Sequence, residues 1–383
     1  PFLFFFYKMS ASGGISLTSG LIALAAAAAG SLWLTPVEHP HLEYPKRQRG
    51  AARRVLGLEH GGVAPAHVAA LGRAFAGQVP DSGGENGARW LQGRHGVTHF
   101  QVHGEDNLDR LIVLAHGLGT NMHLYDEFLE PLVQSGFAVL VYDYFNHGWS
   151  VAKDKFLVYD QDVIVEQLED LLDHVLPTRE MPLFGFVGHS TGGCLGVLAD
   201  AHMERSIQNI FHVSPAIFAK KPLIAQLADA GLYKPLENLF LRRGLLQGLV
   251  SDAYTENGEL AWARDEATSK YLFHGTREAH EADNVVMFEH HPFIHGGIWG
   301  LNSYILRQDL LPAYVVSLSK TETRTMVVWG KLDVVVPYTK ENVAATSVNP
   351  GVTVVGLDGL GHESLFEDSA AVLKPMLEFF QSA

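Results

Sequence analysis

The chain has a single cysteine, Cys194, so it cannot form an intrachain disulfide. It also contains no Asn-x-Ser/Thr acceptor for N-glycosylation. Basic residues are scarce too, since 28 Lys and Arg oppose 42 Asp and Glu and leave a formal net charge of -14. Because binding to a phosphate backbone needs clustered Lys and Arg, we expect no nucleic-acid partner. The lack of a disulfide and of a glycosylation acceptor favours a domain that faces the cytosol.

Charged residues are absent from Met9 to Val37, and residues 15–34 form an apolar run. A helix of about 20 such residues spans roughly 30 Å of hydrocarbon. Five basic residues follow it closely, which by the positive-inside rule keeps the downstream domain in the cytosol: Lys46, Arg47, Arg49, Arg53 and Arg54. The sequence therefore predicts that residues 1–37 are a retained single-pass membrane anchor in contact with the bilayer.

Two alternatives to the anchor remain open. Residues 1–37 could be a signal or transit peptide, because residues 27–29 are small alanines suited to a cleavage site, and the mature domain would then lie in a secretory or organellar lumen. They could also form a buried helix of a soluble protein. Residues 38–92 mix Pro, Gly and Ala with basic charge and are predicted to be a connector.

From residue 93 to 383 the pattern predicts one α/β domain. Short apolar strands alternate with amphipathic helices, which is typical of a mostly parallel central sheet covered by helices on both faces. The predicted strands are 97–102 (an edge strand), 111–115, 137–142, 183–187, 210–213, 325–329 and 352–357. The predicted helices are 124–135, 162–175 and 191–202.

A long insertion, about residues 215–319, separates two of the predicted strands. It has a helical pattern and is expected to form a cap over the carboxyl edge of the sheet. It is rich in apolar side chains that would suit an acyl chain or form the core of the cap itself, for example Phe288, Phe293, Ile294, Ile298 and Trp299. The cap histidines His290, His291 and His295 do not have HExxH spacing, and no metal or cofactor is predicted.

The string Gly188-His189-Ser190-Thr191-Gly192 lies directly after an apolar strand and before a predicted helix. Gly-x-Ser-x-Gly in this position is a nucleophile elbow, in which a strained turn exposes the serine hydroxyl. Glycine at positions 188 and 192 removes side chains that would collide at such a turn. The sequence therefore predicts Ser190 as a nucleophile.

A serine nucleophile needs a base to accept its proton. His362 follows the last predicted strand, and Asp333 follows the strand before it, so both leave the sheet at the carboxyl edge where Ser190 lies. We predict His362 as the base and Asp333 as the acid that orients it. Asp358, four residues before the histidine, is the alternative acid.

Negative charge that develops on a tetrahedral intermediate needs backbone donors. The predicted donors are the N–H groups of Thr191, directly after the nucleophile, and of Leu118, in the turn after strand 111–115. His116, Asn146 and Trp299 are candidate residues of the substrate pocket. His116 also suits a role in bracing its loop, and the segment around Asn146 suits either role.

The strings HGLG, GHSTGG, WGKLDVVVP and LGHESLFED resemble those of the α/β-hydrolase superfamily. Within it, the chain is similar to the branch of monoacylglycerol lipases, lysophospholipases and prolyl aminopeptidases. The order Ser190, Asp333, His362 matches the triad order of the superfamily. The string YDYFNHGWS departs from the usual Arg-Gly-His-Gly-x-Ser form, which leaves the role of His147 open.

The resemblance implies acyl-enzyme chemistry without naming a substrate. We expect a serine hydrolase that cleaves a carboxylic ester, a small molecule or lipid, with a lipid-like acyl group as the leading prediction. Peptidase, C–C bond hydrolase and acyltransferase activities remain alternatives on the same scaffold. A non-catalytic binding protein is an alternative of a different class, although such a protein has no need of three catalytic groups in order.

Overall fold

A computed structural model describes residues 89–118, 120–153, 161–217, 317, 323–333, 335–347 and 351–383. The predicted N-terminal segment (1–37), residues 38–88 of the connector and nearly all of the predicted cap lie outside these ranges. The membrane anchor and the cap therefore stay predictions. Within the described ranges, no helix has both the length and the apolar character needed to cross a bilayer.

The described strands form one sheet in which most neighbours run parallel. The strands are β1 (Arg89–Gln92), β2 (Gly96–His103), β3 (Leu111–Ala115), β4 (Ala138–Tyr142), β5 (Val151–Ala152), β6 (Leu183–His189), β7 (Ile207–Val213), β8 (Arg324–Gly330) and β9 (Val352–Leu357). Their order is β1-β2-β4-β3-β6-β7-β8-β9, and β5 pairs with β2. Strands β4, β3, β6, β7, β8 and β9 are parallel, whereas the pairs of β2 with β1, β4 and β5 are antiparallel. The predicted mostly parallel sheet is confirmed.

Helices cover both faces of this sheet. The described α-helices are α1 (Asp126–Gln134), α2 (Gln161–Val175), α3 (Thr191–His202), α4 (Lys340–Thr346), α5 (Ser364–Glu367) and α6 (Ser369–Gln381). Two 3-10 helices, Glu105–Arg110 and Met122–Tyr125, precede β3 and α1. Buried residues of α2 and α3 pack in one core, and those of α1 and α6 pack in a second. Alternate residues of β3 and β4 enter the two cores, as expected when successive strand side chains point to opposite faces.

The first strands correct two predictions. Residues 97–102 are not an edge strand, because β1 pairs with the outer side of β2, with Arg89 opposite Phe100. The predicted connector 38–92 therefore overlaps the sheet by four residues of β1. In β1 only Trp90 is buried, so this strand lacks the apolar run that indicates a buried strand.

The predicted helix 124–135 is also different at its start. It begins as the 3-10 helix Met122–Tyr125, and α1 continues it from Asp126. The side chain of Asn121 accepts a hydrogen bond from the backbone N–H of His123 and caps the 3-10 helix. The C-terminal helix α6 is absent from the sequence-based predictions.

The packing of α6 can be tested by mutation. Met376 is fully buried in the core that α6 shares with α1, whereas Lys374 on the same helix is exposed. Met376→Ala should lower the free energy of unfolding by about 2–5 kcal/mol, since it removes buried volume that the core cannot refill. Lys374→Ala should change it by less than about 0.5 kcal/mol. Urea unfolding of both variants measures the difference, and equal effects would contradict the placement of this helix.

Candidate active site

Ser190 lies at the junction of β6 and α3 with φ 51° and ψ -111°, a region that non-glycine residues rarely adopt. A Cβ atom on Gly188 would meet the carbonyl oxygen of Gly192 at 2.2 Å. A Cβ atom on Gly192 would meet the carbonyl oxygen of Ala115 at 2.1 Å. The N–H of Ser190 donates to the carbonyl of Val213 at 3.0 Å. The turn therefore has the geometry of a nucleophile elbow, and both glycines are required for it.

The three predicted triad side chains lie together. His362, in the loop after β9, has its Nε2 3.0 Å from the Oγ of Ser190. Its Nδ1 lies 2.8 Å from Oδ2 of Asp333, which follows β8. Ser190, Asp333 and His362 are 6%, 4% and 4% exposed. Because a carboxylate only accepts hydrogen bonds, Nδ1 carries the proton and Nε2 is available to accept the serine proton.

Asp333 is held in place by its own loop. Its Oδ1 accepts hydrogen bonds from the backbone N–H groups of Val335 and Val336, both at 2.8 Å. The indole N–H of Trp329 donates to the carbonyl of Val336 at 2.8 Å and anchors the loop to β8. Oδ1 is thus occupied by the loop, and Oδ2 is directed to His362.

The alternative acid, Asp358, lies elsewhere. Its side chain is 88% exposed and forms an ion pair with Lys331 at 2.8 Å. The imidazole of His362 contacts Asp333 instead. Of the two candidates, the structure brings only Asp333 to the histidine.

The electrostatic surroundings of His362 favour its protonated form. Burial opposes protonation, but the charge of Asp333 and its hydrogen bond, with the nearby Glu363 and Glu367, raise the pKa of His362 above its usual value. Burial also raises the pKa of Glu367 to about 7. An imidazole stabilised as its cation is suited to receive a proton from a neighbouring hydroxyl.

The turn after β3 lies against Ser190. A Cβ atom on Gly117 would be 2.9 Å from Nδ1 of His189 and 3.5 Å from Cβ of Ser190. Leu118 follows in this turn and is half-buried, and Thr191 is the first residue of α3. Both residues are thus placed beside Ser190, and the first N–H groups of a helix have no intrahelical acceptor.

Two of the predicted pocket residues brace loops. The Nδ1–H of His116 donates to the carbonyl of Gly117 at 2.7 Å, and Nε2 accepts from the backbone N–H of Tyr144 at 3.1 Å. Burial lowers the pKa of His116 to about 4, so the ring is neutral. Oδ1 of Asn146 accepts from the N–H of Ala152 at 3.1 Å. These hydrogen bonds give His116 and Asn146 the bracing role that the sequence also allowed. Their assignment to the substrate pocket stays a prediction, and Trp299 lies outside the described residues.

Asp143, directly after β4, was not predicted as a site residue. Its Oδ1 accepts from the N–H of Met122, while Oδ2 accepts from the N–H of Trp149 and lies 2.8 Å from Nδ1 of His99. Burial opposes ionisation, yet these bonds and the charge of His99 lower the pKa of Asp143 to about 2. This buried carboxylate connects the loop after β4 to the segment that follows the turn after β3. The signal in the sequence was an acidic residue directly after an apolar strand.

Other reactive groups near the site have structural roles. The thiol of Cys194 is buried and donates to the carbonyl of Ala216 at 3.3 Å, and burial raises its pKa to about 12. Among the described residues, possible metal-ligand atoms of His189, His362 and Glu363 lie within 4.8 Å of one another. A metal there would compete with Asp333 or Ser190 for the imidazole of His362. We therefore assign these side chains to the hydrogen-bonded site.

The strand order, with a serine turn after β6, is that of an α/β-hydrolase. Solved structures agree at the level of the fold. A hydrolase from Pseudomonas aeruginosa superposes with a TM-score of 0.56 at 20% identity and covers 78% of this chain and 100% of its own. An enol-lactonase from Burkholderia xenovorans superposes with a TM-score of 0.51 at 20% identity and covers 76% of this chain and 99% of its own.

The family model described as "Serine aminopeptidase, S33" matches residues 106–369, and the chain belongs to this family. Rattus norvegicus monoglyceride lipase is 34% identical over 113 residues, which cover 28% of this chain and 36% of the lipase. The chain thus aligns with about a third of that relative. A proline iminopeptidase from Lactobacillus helveticus is 26% identical over 282 residues, 70% of this chain and 89% of the peptidase. The predicted superfamily and branch are confirmed.

The bracing role of Asp143 leads to a prediction about stability. Asp143→Asn should lower the free energy of unfolding by about 1–3 kcal/mol at pH 7, because a neutral amide cannot serve all the donors around the carboxylate. Asp109→Asn, on an exposed residue, should have little effect. Chemical unfolding monitored by circular dichroism measures both changes.

The pH dependence of the Asp143 effect has a definite sign. The folded pKa, about 2, lies below the unfolded value of about 3.9, so the carboxylate stabilises the fold fully above that value. This contribution is lost as the pH falls through the folded pKa. The stability gap between wild type and Asp143→Asn should therefore be constant above about pH 5 and narrow towards pH 2. A gap that widened in acid would contradict the assignment.

Proposed function

We propose that this protein is a serine hydrolase that cleaves a carboxylic ester through an acyl-enzyme intermediate. The observation that carries the proposal is the buried line of hydrogen bonds from Ser190 through His362 to Asp333. Each contact has the length of a normal hydrogen bond, and the strained turn directs the serine to the carboxyl edge of the sheet.

In the first step, Oγ of Ser190 attacks the ester carbonyl carbon as Nε2 of His362 takes its proton. Asp333 holds the proton on Nδ1 and stabilises the imidazolium that forms. The bond from the carbonyl carbon to the alcohol oxygen then breaks, and Nε2 returns the proton to that oxygen. The acyl group is left on Ser190.

In the second step, water attacks the acyl carbon and gives a proton to His362. The bond to Oγ breaks, Ser190 regains its proton, and the carboxylic acid leaves. In both steps the backbone N–H groups of Leu118 and Thr191 donate to the oxyanion. Two observations support these two donors. Gly117, which precedes Leu118, lies against Ser190, and Thr191 is the first residue of α3.

The substrate class that we favour is an ester with a lipid-like acyl group. The similarity to monoglyceride lipase supports it, and so does the apolar composition of residues 215–319. An aminopeptidase is the second candidate, because the similarity to proline iminopeptidase extends over 70% of the chain. Both reactions use the same triad, so the choice depends on the groups that bind the substrate.

The nucleophile can be tested by covalent labelling. A fluorophosphonate probe should label wild type at Ser190, and Ser190→Ala should abolish labelling and lower turnover by about 10⁴-fold or more. Mass spectrometry of the labelled peptide identifies the site, and the same preparations can be compared on p-nitrophenyl esters of graded length and on L-proline p-nitroanilide. Undiminished labelling of Ser190→Ala would exclude the proposed nucleophile. Cleavage of the anilide alone would favour the aminopeptidase.

The acid can be tested with a matched pair of substitutions. Asp333→Asn should lower kcat by up to about 10⁴-fold, because the amide favours the wrong tautomer of His362. Asp358→Asn makes the same chemical change on an exposed carboxylate that pairs with Lys331, and kcat should stay near the wild-type value. Steady-state kinetics on a short ester measures both, and the reverse result would assign the triad to Asp358.

A further inference from the structure

The loop that carries His362 is held at three points of its backbone. The carbonyl of Leu360 accepts a hydrogen bond from the N–H of Leu332 at 2.8 Å. The N–H of Gly361 donates to Oε2 of Glu367 at 2.6 Å. The carbonyl of His362 accepts from Nε2 of His189 at 3.0 Å. The peptide unit between residues 360 and 361 and the unit between residues 362 and 363 are therefore each held by a side chain, Glu367 and His189 respectively.

Glu367 is the last residue of α5, the single helical turn that follows His362, and its side chain reaches back to this loop. Backbone N–H groups of Phe366 and Glu367 donate to the carbonyl of Glu363 at 2.8 and 2.9 Å and close the turn. The turn packs against the 3-10 helix Met122–Tyr125 and against α6. The carboxylate thus lies on a supported element and points back at the residue that precedes the base.

The placement of this carboxylate is costly. Its Oε1 is buried and has no hydrogen-bond partner in the described part of the chain. Burial raises the pKa of Glu367 to about 7. A buried carboxyl with one oxygen left unsatisfied lowers the stability of a fold, and costs of this kind are typical of functional sites.

We propose that Glu367 is a positioning residue that holds the N–H of Gly361 and thereby sets the distance between Nε2 of His362 and Oγ of Ser190. This inference rests on the proposed function, in which that distance governs proton transfer. A displacement of about 1 Å at such a contact can cost about 10²-fold in rate.

Glu367 could also act on His362 through its charge. Comparison with Glu363 distinguishes this effect of charge from the effect of the hydrogen bond to Gly361. Both carboxyls raise the pKa of His362. Only Glu367 accepts a hydrogen bond from the loop, whereas the buried Oε2 of Glu363 accepts none from the described residues. The titratable groups around them are His362, Asp333, His189 and Tyr125. A ring nitrogen of His189 lies within 4.8 Å of a carboxylate oxygen of Glu363, and the hydroxyl of Tyr125, on the adjoining 3-10 helix, donates to the carbonyl of Ala115.

Three variants of the full chain test the proposal. Glu367→Asp keeps the charge but shortens the side chain by one methylene, so it withdraws the acceptor from Gly361. Glu367→Gln keeps the acceptor and removes the charge. Glu363→Gln removes the neighbouring charge and leaves the hydrogen bond intact. The second-order rate of fluorophosphonate labelling at Ser190 is measured for each from pH 5 to 9, with the melting temperature as a control.

At alkaline pH, where the labelling rate reaches its plateau, we expect Glu367→Asp to label about 10–100-fold more slowly than wild type. The acid limb, which is the pH range over which the rate falls as His362 is protonated, should stay where it is in wild type. Glu367→Gln should recover most of that rate. Both Gln variants should shift the acid limb to lower pH, because loss of a negative charge lowers the pKa of His362. If Glu367→Asp melts below the assay temperature, Glu367→Met, which has similar length and no carboxylate, replaces it. The same slower plateau rate is expected, with the acid limb shifted as in the Gln variants because Met also removes the charge.

If the wild-type protein is labelled, either of two results would overturn the proposal. The first is a folded Glu367→Asp that labels at the wild-type rate. The second is a Glu367→Gln that is slowed as much as Glu367→Asp, since retention of the hydrogen-bond acceptor for Gly361 would then not preserve the rate. A wild-type protein that resists labelling would instead overturn the proposed function, and this inference with it.

Discussion

Close contact of backbones at the end of β6 determines where Ser190 and the turn after β3 can lie. Gly192 approaches the carbonyl of Ala115 and Gly188 approaches that of Gly192 so closely that a methyl group on either would collide. This contact forces Ser190 into a left-handed conformation, which costs about 1–3 kcal/mol and persists only because its surroundings hold it. The same contact brings β3, and the turn that follows it, against the nucleophile. The position of the turn after β3 therefore follows from the geometry of the turn at Ser190.

A second close contact joins the loops of the base and the acid. A Cβ atom on Gly330 would meet the carbonyl of Gly361 at 2.0 Å, so glycine lets the end of β8 lie against the loop after β9. The N–H of Leu332 then reaches the carbonyl of Leu360, and Asp333 comes within hydrogen-bonding distance of His362. Since β8 and β9 are parallel neighbours, both loops leave the same edge of the sheet. Packing of main chain against main chain thus sets the spacing of the triad.

Buried polar groups behind the site hold its loops to one another. Asp143 connects the loop after β4 with the 3-10 helix Met122–Tyr125, and His116 connects the turn after β3 with Tyr144. These hydrogen bonds lie in the interior, where an unpaired partner costs more than in water. The antiparallel strand β2 takes part, because His99 on it pairs with Asp143. Strands that appear remote from the chemistry therefore support it through this buried network.

The sequence by itself determined the parallel strands, helices α2 and α3, the elbow and the position of the triad residues at strand ends, because periodicity and glycine spacing are local properties. It did not determine β1, whose single buried residue, Trp90, leaves no pattern. It favoured Asp333 over Asp358 and allowed bracing roles for His116 and the segment around Asn146, but it could not give their hydrogen-bond partners, since partners far apart in the chain meet only after folding. Glu367 looked like an ordinary acid in a polar segment. Only the tertiary structure placed it against Gly361, because a single helical turn bends the chain back on the loop of the base.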